Sequence, residues 1–419
     1  MIFHLHSVKL VKDEPRHRFS IQHRSMAQLD TDLHTLPRTT RIEGIVPMTS
    51  KRIFFLDNLK AFIILLMVVF HAAMCYMAYA PEWWYVLDTQ RVFSATLFVL
   101  WADIFIMPIM FFISGYFGLM SLSKRSQRSF WKSKLIRIGL PWAVGAICIA
   151  PVITYLMIAS RNIPMDFPTF YTTLFWGAAY QQAQYWYLGA LLALYLLLAL
   201  CSQLFPGMKK PSVPSQPSFV FFLALILLGA AGVGIVNFFI PDGVWIHPLY
   251  LLVLQPTRLT LYILYFFLGA WAWKRQWFSE QGWKPPVGIW MPCFILMSFV
   301  YVFNRINPAL FQLPPAQTVL LNAFLHSAFC LTAIFGLISL FQQSLDHTSK
   351  IWGALAATSY PIYFLHQFFV QETAWLLRPL ETNAYIKYLL TCTITLAICF
   401  LISKYLLLRL PCFASKKQK

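Results

Sequence analysis

About ten long apolar runs dominate this chain. They occur near 53–79, 92–120, 137–158, 184–205, 218–240, 250–273, 287–303, 317–341, 352–376 and 385–408. A helix needs roughly 20 residues to cross a bilayer, and most of these runs are at least that long. Backbone polar groups in lipid must be satisfied within the segment, which selects helices. The sequence therefore predicts an all-α integral membrane protein, a bundle of about ten transmembrane helices.

Composition supports a membrane protein over a soluble domain. Hydrophobic residues make up 59% of the chain and charged residues only 11%, and the mean hydropathy is +0.62. The formal net charge of +18 does not predict nucleic-acid binding, because the basic residues cluster between apolar runs. The eight cysteines show no paired short spacing. Neither a disulfide framework nor a metal site is predicted.

The distribution of basic residues predicts the orientation. With the N-terminus inside, nineteen Lys and Arg fall on the cytoplasmic side and five on the other. This asymmetry is typical of multispanning proteins, so both termini are predicted to be cytoplasmic. The five outer residues are Arg91, Arg161, Arg305, Arg378 and Lys387.

Residues 1–50 differ from the rest because they contain no apolar run and hold five of the ten histidines. Two interpretations stay open: a disordered basic tail, or a start of translation at Met48. Residues 51–408 are predicted to form the membrane domain and 409–419 a basic cytoplasmic tail. The N-terminal histidines are not interpreted as a metal site.

Two ionisable residues share one face of the first span. Lys60 and His71 lie eleven residues apart, which is about three helical turns and roughly 16 Å along the axis. Ionisable residues inside a span usually face a bundle interior or a water-filled cavity. A packed core histidine is the alternative interpretation.

Further polar residues occur within later spans. Asp103 lies in the second span. It is predicted either to form a structural ion pair or to take part in a reaction. Tyr360, Tyr363 and His366 follow one stripe of the ninth span, as packing contacts or as part of a cavity wall. Trp186 belongs to an aromatic belt at the start of the fourth span.

The loop after the second span is strongly basic and contains no acid. Its cations include Arg125, Arg128, Lys134 and Arg137. Topology explains most of this charge, but such a cluster also suits an anionic donor that carries phosphate groups.

Four motifs resemble the membrane-bound acyltransferase 3 family, and the resemblance covers roughly residues 51–408. Bacterial enzymes that acylate O-antigen, peptidoglycan and periplasmic glucans belong to that family, and the periplasmic-glucan branch is the most similar. One departure is Gln184, where members often have histidine. The motifs are Asp57 with Lys60 and His71, Phe111 to Tyr116, the basic set Arg125, Arg128, Lys134 and Arg137 before Pro141, and Tyr360 to His366.

The resemblance implies transfer of an acetyl or succinyl group from cytoplasmic acyl-CoA to a hydroxyl of an envelope glycan or similar acceptor. His71 is then the general base or the covalent acyl carrier, Lys60 and Asp103 assist, and Asp57 orients. No bound cofactor and no nucleic acid is expected, and the bacterial inner membrane is the implied location. The alternative is a transporter or exporter of glycans or small anions. Predicted substrate-binding residues are Arg125, Arg128, Lys134, Arg137, Trp186, Tyr363 and His366.

Overall fold

The computed structural model describes residues 52–308, 310 and 312–414. The predicted tail at 1–50, with Met48, lies outside these residues, as do the last five residues of the predicted C-terminal tail. About 74% of the structure is helical. Among the described residues, extended pairing is limited to two isolated bridges, Met77 with Val92 and Ile246 with Leu254. The all-α prediction is confirmed.

Ten long helices succeed one another along the described part of the chain. Eight of them are long and apolar enough to cross a membrane. The sixth and ninth are also long but do not reach that apolar composition, so the count of ten spans stays a prediction, as does the orientation. The helices are α1 Phe54–Tyr76, α2 Phe93–Ser123, α3 Gln127–Ser160, α4 Ala183–Leu204, α5 Phe219–Phe239, α6 Pro256–Lys274, α7 Val287–Ile306, α8 Pro315–Ser344, α9 Lys350–Leu377 and α10 Ala384–Arg409.

Helix α3 begins earlier than the apolar run indicates. The hydroxyl of Ser126 accepts a hydrogen bond from the Ser129 backbone N–H at 3.3 Å and caps a helix that starts at Gln127. Arg128, Lys134 and Arg137 therefore lie on the helix, and their assignment to a loop was wrong. The charges interrupt the apolar pattern without interrupting the backbone hydrogen bonds.

The helices divide into a buried centre and a lipid-facing periphery. In its most apolar stretch, 89% of α8 is buried by the rest of the protein, compared with 22% for α5 and for α7. The first helix is intermediate, with 67% buried. Helices α1 and α8 therefore lie against the interior of the bundle, while α5 and α7 present most of their side chains outward.

Two glycines allow α2 and α6 to touch backbone to backbone. A Cβ added to Gly115 would lie 1.8 Å from the carbonyl oxygen of Phe266, and one added to Gly269 would lie 1.9 Å from that of Phe112. Small residues permit this close approach between membrane helices. The same two helices are joined by an ion pair between Asp103, at a break in α2, and Arg258 in α6.

This crossing predicts a large effect for one added methyl group. Gly115→Ala should lower the thermal unfolding midpoint in lipid, because overpacking costs about 1–3 kcal/mol and here the contact is with backbone. Gly288→Ala is the matched control, since Gly288 also lies in a long helix and has nothing within 4 Å of an added Cβ. Equal midpoints for the two variants would contradict the interpretation.

Candidate functional site

A cavity of about 510 Å³ lies where the loops after α1, α3 and α5 meet. We call this the outer end of the bundle, following the predicted orientation. Its wall combines aromatic rings with side-chain amides, a mixture that suits a ligand with both apolar faces and hydroxyl groups. The aromatic residues are Phe70, Trp83, Trp84, Tyr85, Tyr180, Trp186, Tyr187, Trp245, Tyr262 and Tyr363, and the amides are Gln181, Gln182, Gln184, Gln255 and Gln367.

A pair of histidines joins α1 to α9 beside this cavity. His71 Nδ1 lies 2.9 Å from His366 Nε2, and His366 Nδ1 lies 2.6 Å from the carbonyl oxygen of Tyr363. A carbonyl oxygen only accepts, so His366 Nδ1 carries a proton, and in the neutral ring Nε2 then accepts from His71 Nδ1. His71 lines the cavity, and its Nε2 keeps a free lone pair.

Ring packing holds His71 in this orientation. Its ring stacks on His366 with centroids 5.0 Å apart and on Trp84 with centroids 5.6 Å apart. The indole N–H of Trp84 points to Cys75 Sγ at 3.5 Å. His366 is fully buried and does not line the cavity, so it contacts His71 from behind.

The loop that carries Trp84 is tied to the bundle by its backbone. Arg161 donates to the carbonyls of Glu82, Trp84 and Tyr85 at 2.6, 2.8 and 3.0 Å. The side-chain oxygen of Gln371 accepts from the Val86 backbone N–H at 3.1 Å. These contacts fix the loop as a roof over His71.

A buried ion pair closes the far end of the same loop. The ammonium group of Lys387 lies 3.1 Å from both carboxylate oxygens of Asp88, and both side chains are 1% exposed. Lys387 also donates to the carbonyl of Arg378 at 3.1 Å. The pair therefore anchors the loop to α10 and to the turn that precedes α10.

A group of charged side chains lies at another part of the cavity wall. Arg258 is 2.5 Å from the carboxylate of Asp103 and 3.8 Å from that of Asp242. Arg258 is largely buried, whereas the side chain of Asp103 is 41% exposed. Asp103 lines the cavity as one member of this ion-pair chain.

The start of α4 is bonded to α9 around Tyr363. The hydroxyl of Tyr363 donates to the Gln184 carbonyl, while the Gln184 amide and the Tyr185 hydroxyl both donate to the carbonyl of Phe364, at 3.0 and 2.8 Å. Gln184 therefore connects α4 to α9. Trp186, two residues further on, lines the cavity and packs edge-on against Trp245, with ring centroids 5.3 Å apart.

Other predicted site residues lie away from the cavity. Lys60 and Asp57 are on the inner half of α1, which is fastened by the neighbouring Asn58: its amide donates to the carbonyls of Leu345 and His347 at 2.8 and 2.9 Å. Lys60 shares a helical face with His71, but it does not line the 510 Å³ cavity.

The basic set is likewise separate from His71. Lys134 lies over the ring of Tyr195, 3.7 Å from its centroid. Arg137 donates to the carbonyl of Ala414, and its own carbonyl accepts from Tyr360. Arg125 and Arg128 are exposed. None of the four basic residues lines the cavity, so the structure does not bring the predicted donor and acceptor groups into one pocket.

The sequence analysis missed the residues that hold the roof. Trp84, Arg161 and Gln371 belong to no periodic pattern that would join them. One signal was available: an arginine directly after a span on the outer side, where basic residues are few. The contacts of Arg161 with the loop after α1 depend on tertiary structure.

A family comparison accounts for most of the described helices. The family model for an acyltransferase domain, Acyl_transf_3, matches residues 53–404. The chain belongs to this acyltransferase family, and the predicted resemblance is confirmed. It is an integral membrane member, given its apolar helices.

Curated relatives are similar over a shorter stretch. "Glucans biosynthesis protein C" of Shigella dysenteriae serotype 1 is 33% identical over 95 residues, which is 23% of this chain and 24% of that protein. The protein of the same name from Escherichia coli strain K12 is 32% identical over 95 residues, with the same coverage. The chain thus spans about a quarter of the length of these relatives. No solved structure matches the chain.

The hydrogen bonds of Arg161 predict a local effect of its removal. In Arg161→Met, amide hydrogen exchange at Trp84 and Val86 should become at least about tenfold faster, because several bonds worth about 1 kcal/mol each are lost. Mass spectrometry of the protein in lipid measures this rate. Arg91→Met is the control, since Arg91 is exposed in the same loop and forms no hydrogen bond to another described residue. Equal exchange rates in both variants would show that Arg161 does not hold the loop after α1 in place.

Proposed function

We propose that this protein is a membrane O-acyltransferase that moves an acetyl or succinyl group from acyl-CoA to a hydroxyl group of a glycan. One observation carries the proposal: the paired histidines leave His71 Nε2 unprotonated at the wall of a cavity large enough for a sugar. The family supports the reaction class. The name of these relatives, glucans biosynthesis protein C, supports a glucan as acceptor.

His71 is assigned the proton transfer. In one route its Nε2 takes the proton of the acceptor hydroxyl as the oxygen attacks the thioester carbonyl carbon. The C–S bond breaks, and the departing thiolate takes up a proton to leave as free CoA. In the other route Nε2 attacks the thioester carbonyl carbon, the C–S bond breaks and the CoA thiolate departs. The acceptor hydroxyl then takes the acyl group from the imidazole, and its proton passes to the thiolate. Both routes need the same lone pair.

His366 is assigned a positioning role. Its Nε2 accepts the Nδ1 proton of His71, which selects the tautomer that has Nε2 free. It also stabilises the positive charge that develops on the His71 ring after proton uptake, as a hydrogen-bond acceptor. The Tyr363 carbonyl fixes the tautomer of His366 in turn.

The cavity wall supports a carbohydrate acceptor. The C–H faces of a sugar ring pack on aromatic rings, and its hydroxyls exchange hydrogen bonds with side-chain amides. Trp84 and Trp186 supply such rings, and Gln367 supplies an amide beside His71. Asp103 supplies a carboxylate at the cavity wall, paired with the buried Arg258 behind it.

The donor is assigned to the inner end of the bundle. Arg125 and Arg128 are exposed there and suit the phosphates of acyl-CoA through charge-assisted hydrogen bonds. Lys134 and Arg137 continue this basic surface along α3, although part of their role is packing. The acyl group then travels along the face of α1 that carries Lys60 and His71, about 16 Å apart.

The first prediction concerns the histidine pair. His71→Ala should insert normally and lose at least about 10²-fold in acyl transfer, the usual contribution of a general base. His366→Phe should lose most of the activity, because it cannot accept a hydrogen bond. His366→Gln should retain more, because its side-chain oxygen can accept.

The assay is cleavage of the acyl-CoA thioester by purified protein in lipid, with glucan acceptors present. Wild-type turnover in His71→Ala would overturn the mechanism. Equal activity in His366→Phe and His366→Gln would remove the positioning role. Glycan flux across the membrane without thioester loss would instead identify the transporter that the sequence left open.

A separate prediction tests the donor site. The double variant Arg125→Gln with Arg128→Gln should raise the KM for acyl-CoA by roughly tenfold, because charge-assisted bonds to phosphate are lost. The KM for the glycan acceptor should stay constant. Lys209→Gln with Lys210→Gln is the control, since these lysines are also predicted to be cytoplasmic. A rise of the same size in both double variants would indicate general surface charge rather than a site.

A further inference from the structure

A second cavity of about 180 Å³ lies between α5, α7 and α8 at the same outer end. This space is large enough to hold several water molecules. Its wall is polar, unlike the lipid-facing surfaces of α5 and α7 around it. The polar residues are Asn237, Asp242, Tyr301, Arg305, Asn322 and His326.

Two of these side chains have no hydrogen-bond partner within the described part of the chain. His326 is 6% exposed, lines the cavity, and its ring forms no hydrogen bond to another described residue. The side-chain oxygen of Asn237 is buried and likewise without a hydrogen bond there. Buried polar groups in native proteins are almost always hydrogen-bonded. The cavity therefore presents groups that a bound molecule can satisfy.

The charges at this cavity balance. Asp242 contributes a carboxylate and Arg305, exposed at the rim, a guanidinium. Burial alone would raise the pKa of Asp242, but the neighbouring Arg258 guanidinium and a hydrogen bond from Thr257 lower it below its ordinary value. Asp242 is thus an ionised acceptor. A site with one anion, one cation and two side-chain amides favours a neutral polyhydroxylated ligand over an anion.

The Asn304–Asn322 pair orients one of these amides. The amide nitrogen of Asn304 donates to the side-chain oxygen of Asn322 at 2.7 Å. The amide nitrogen of Asn322 is therefore left for the cavity that the residue lines. Donors from Asn322 and Arg305 and acceptors from Asn237 and Asp242 match the dual character of sugar hydroxyls.

A chain of ion pairs separates the two cavities. Asp103 lines the larger cavity and Asp242 the smaller one. Arg258 lies between them, 2.5 Å from Asp103 and 3.8 Å from Asp242. Gly243, next to Asp242, lines the larger cavity. The two spaces are neighbours on one surface of the bundle.

We propose that the smaller cavity is a second sugar-binding subsite, which holds a more distant unit of the glycan whose hydroxyl is presented to His71. This proposal rests on the proposed glycan acceptor, and it adds that the acceptor is an oligosaccharide bound at two places. His326 and Arg305 contribute to the affinity for longer acceptors.

The test measures binding directly. Glucose and a series of linear gluco-oligosaccharides are titrated against the purified protein in lipid nanodiscs. The wild type should gain affinity with acceptor length, and Arg305→Met and His326→Phe should each reduce that gain by about tenfold, the value of one strong hydrogen bond. Arg305 is exposed, so its replacement should not impair folding. Arg91→Met, at an exposed outer arginine away from this cavity, should keep the full gain.

The possible results separate the subsite from the proposed function. A gain in affinity with length that survives both variants, or the absence of any gain, would overturn the subsite and leave a water-filled cavity. Acyl transfer to the same acceptors is measured in parallel. If oligosaccharides bind in an Arg305-dependent manner but no acyl group is transferred, the subsite stands and the proposed function fails. If the acyl group is transferred but binding does not depend on acceptor length, the proposed function stands and the subsite fails.

Discussion

The hydrogen bond between His71 and His366 depends on a requirement that governs the whole bundle: a polar group among apolar helices must find its partner inside the protein. The two histidines come from α1 and α9, 295 positions apart in the chain. Their bond has a direction, because the Tyr363 carbonyl can only accept. The lone pair on His71 Nε2 thus results from a backbone group of α9, and any change in the packing of α1 on α9 would alter it.

In the loop after α1, polar groups outside the apolar helices also find their partners inside the protein. Its backbone carbonyls accept from Arg161, and its Asp88 is paired with Lys387 in a site that is 1% exposed. A buried ion pair gains little net free energy, because both charges lose their water. Removal of one partner, however, leaves the other charge uncompensated. These contacts therefore define the position of the loop, and with it the stacking of Trp84 on His71, more than they add stability.

The fold was predictable from the sequence because apolar runs of span length leave little choice of structure. The helical period also placed Lys60 and His71 on one face. The helical period does not bring Lys60 and His71 into one cavity, because they are eleven residues apart along the helix axis. The start of α3 was misplaced because charged residues on a helix resemble a loop in composition. Trp84, Arg161 and Gln371 meet through a loop conformation that no periodicity encodes.

The separation of the basic residues from the histidine pair is consistent with a reaction that joins substrates from two sides of a membrane. Arg125 and Arg128 lie at the inner end, whereas the aromatic cavity and the smaller polar cavity lie at the outer end. A water-soluble donor and a glycan acceptor then need not share an entrance. In the proposed reaction the acyl carbon has to reach the acceptor hydroxyl or the ring of His71. The Asp103–Arg258–Asp242 chain places fixed charges in the wall between the two proposed sugar sites.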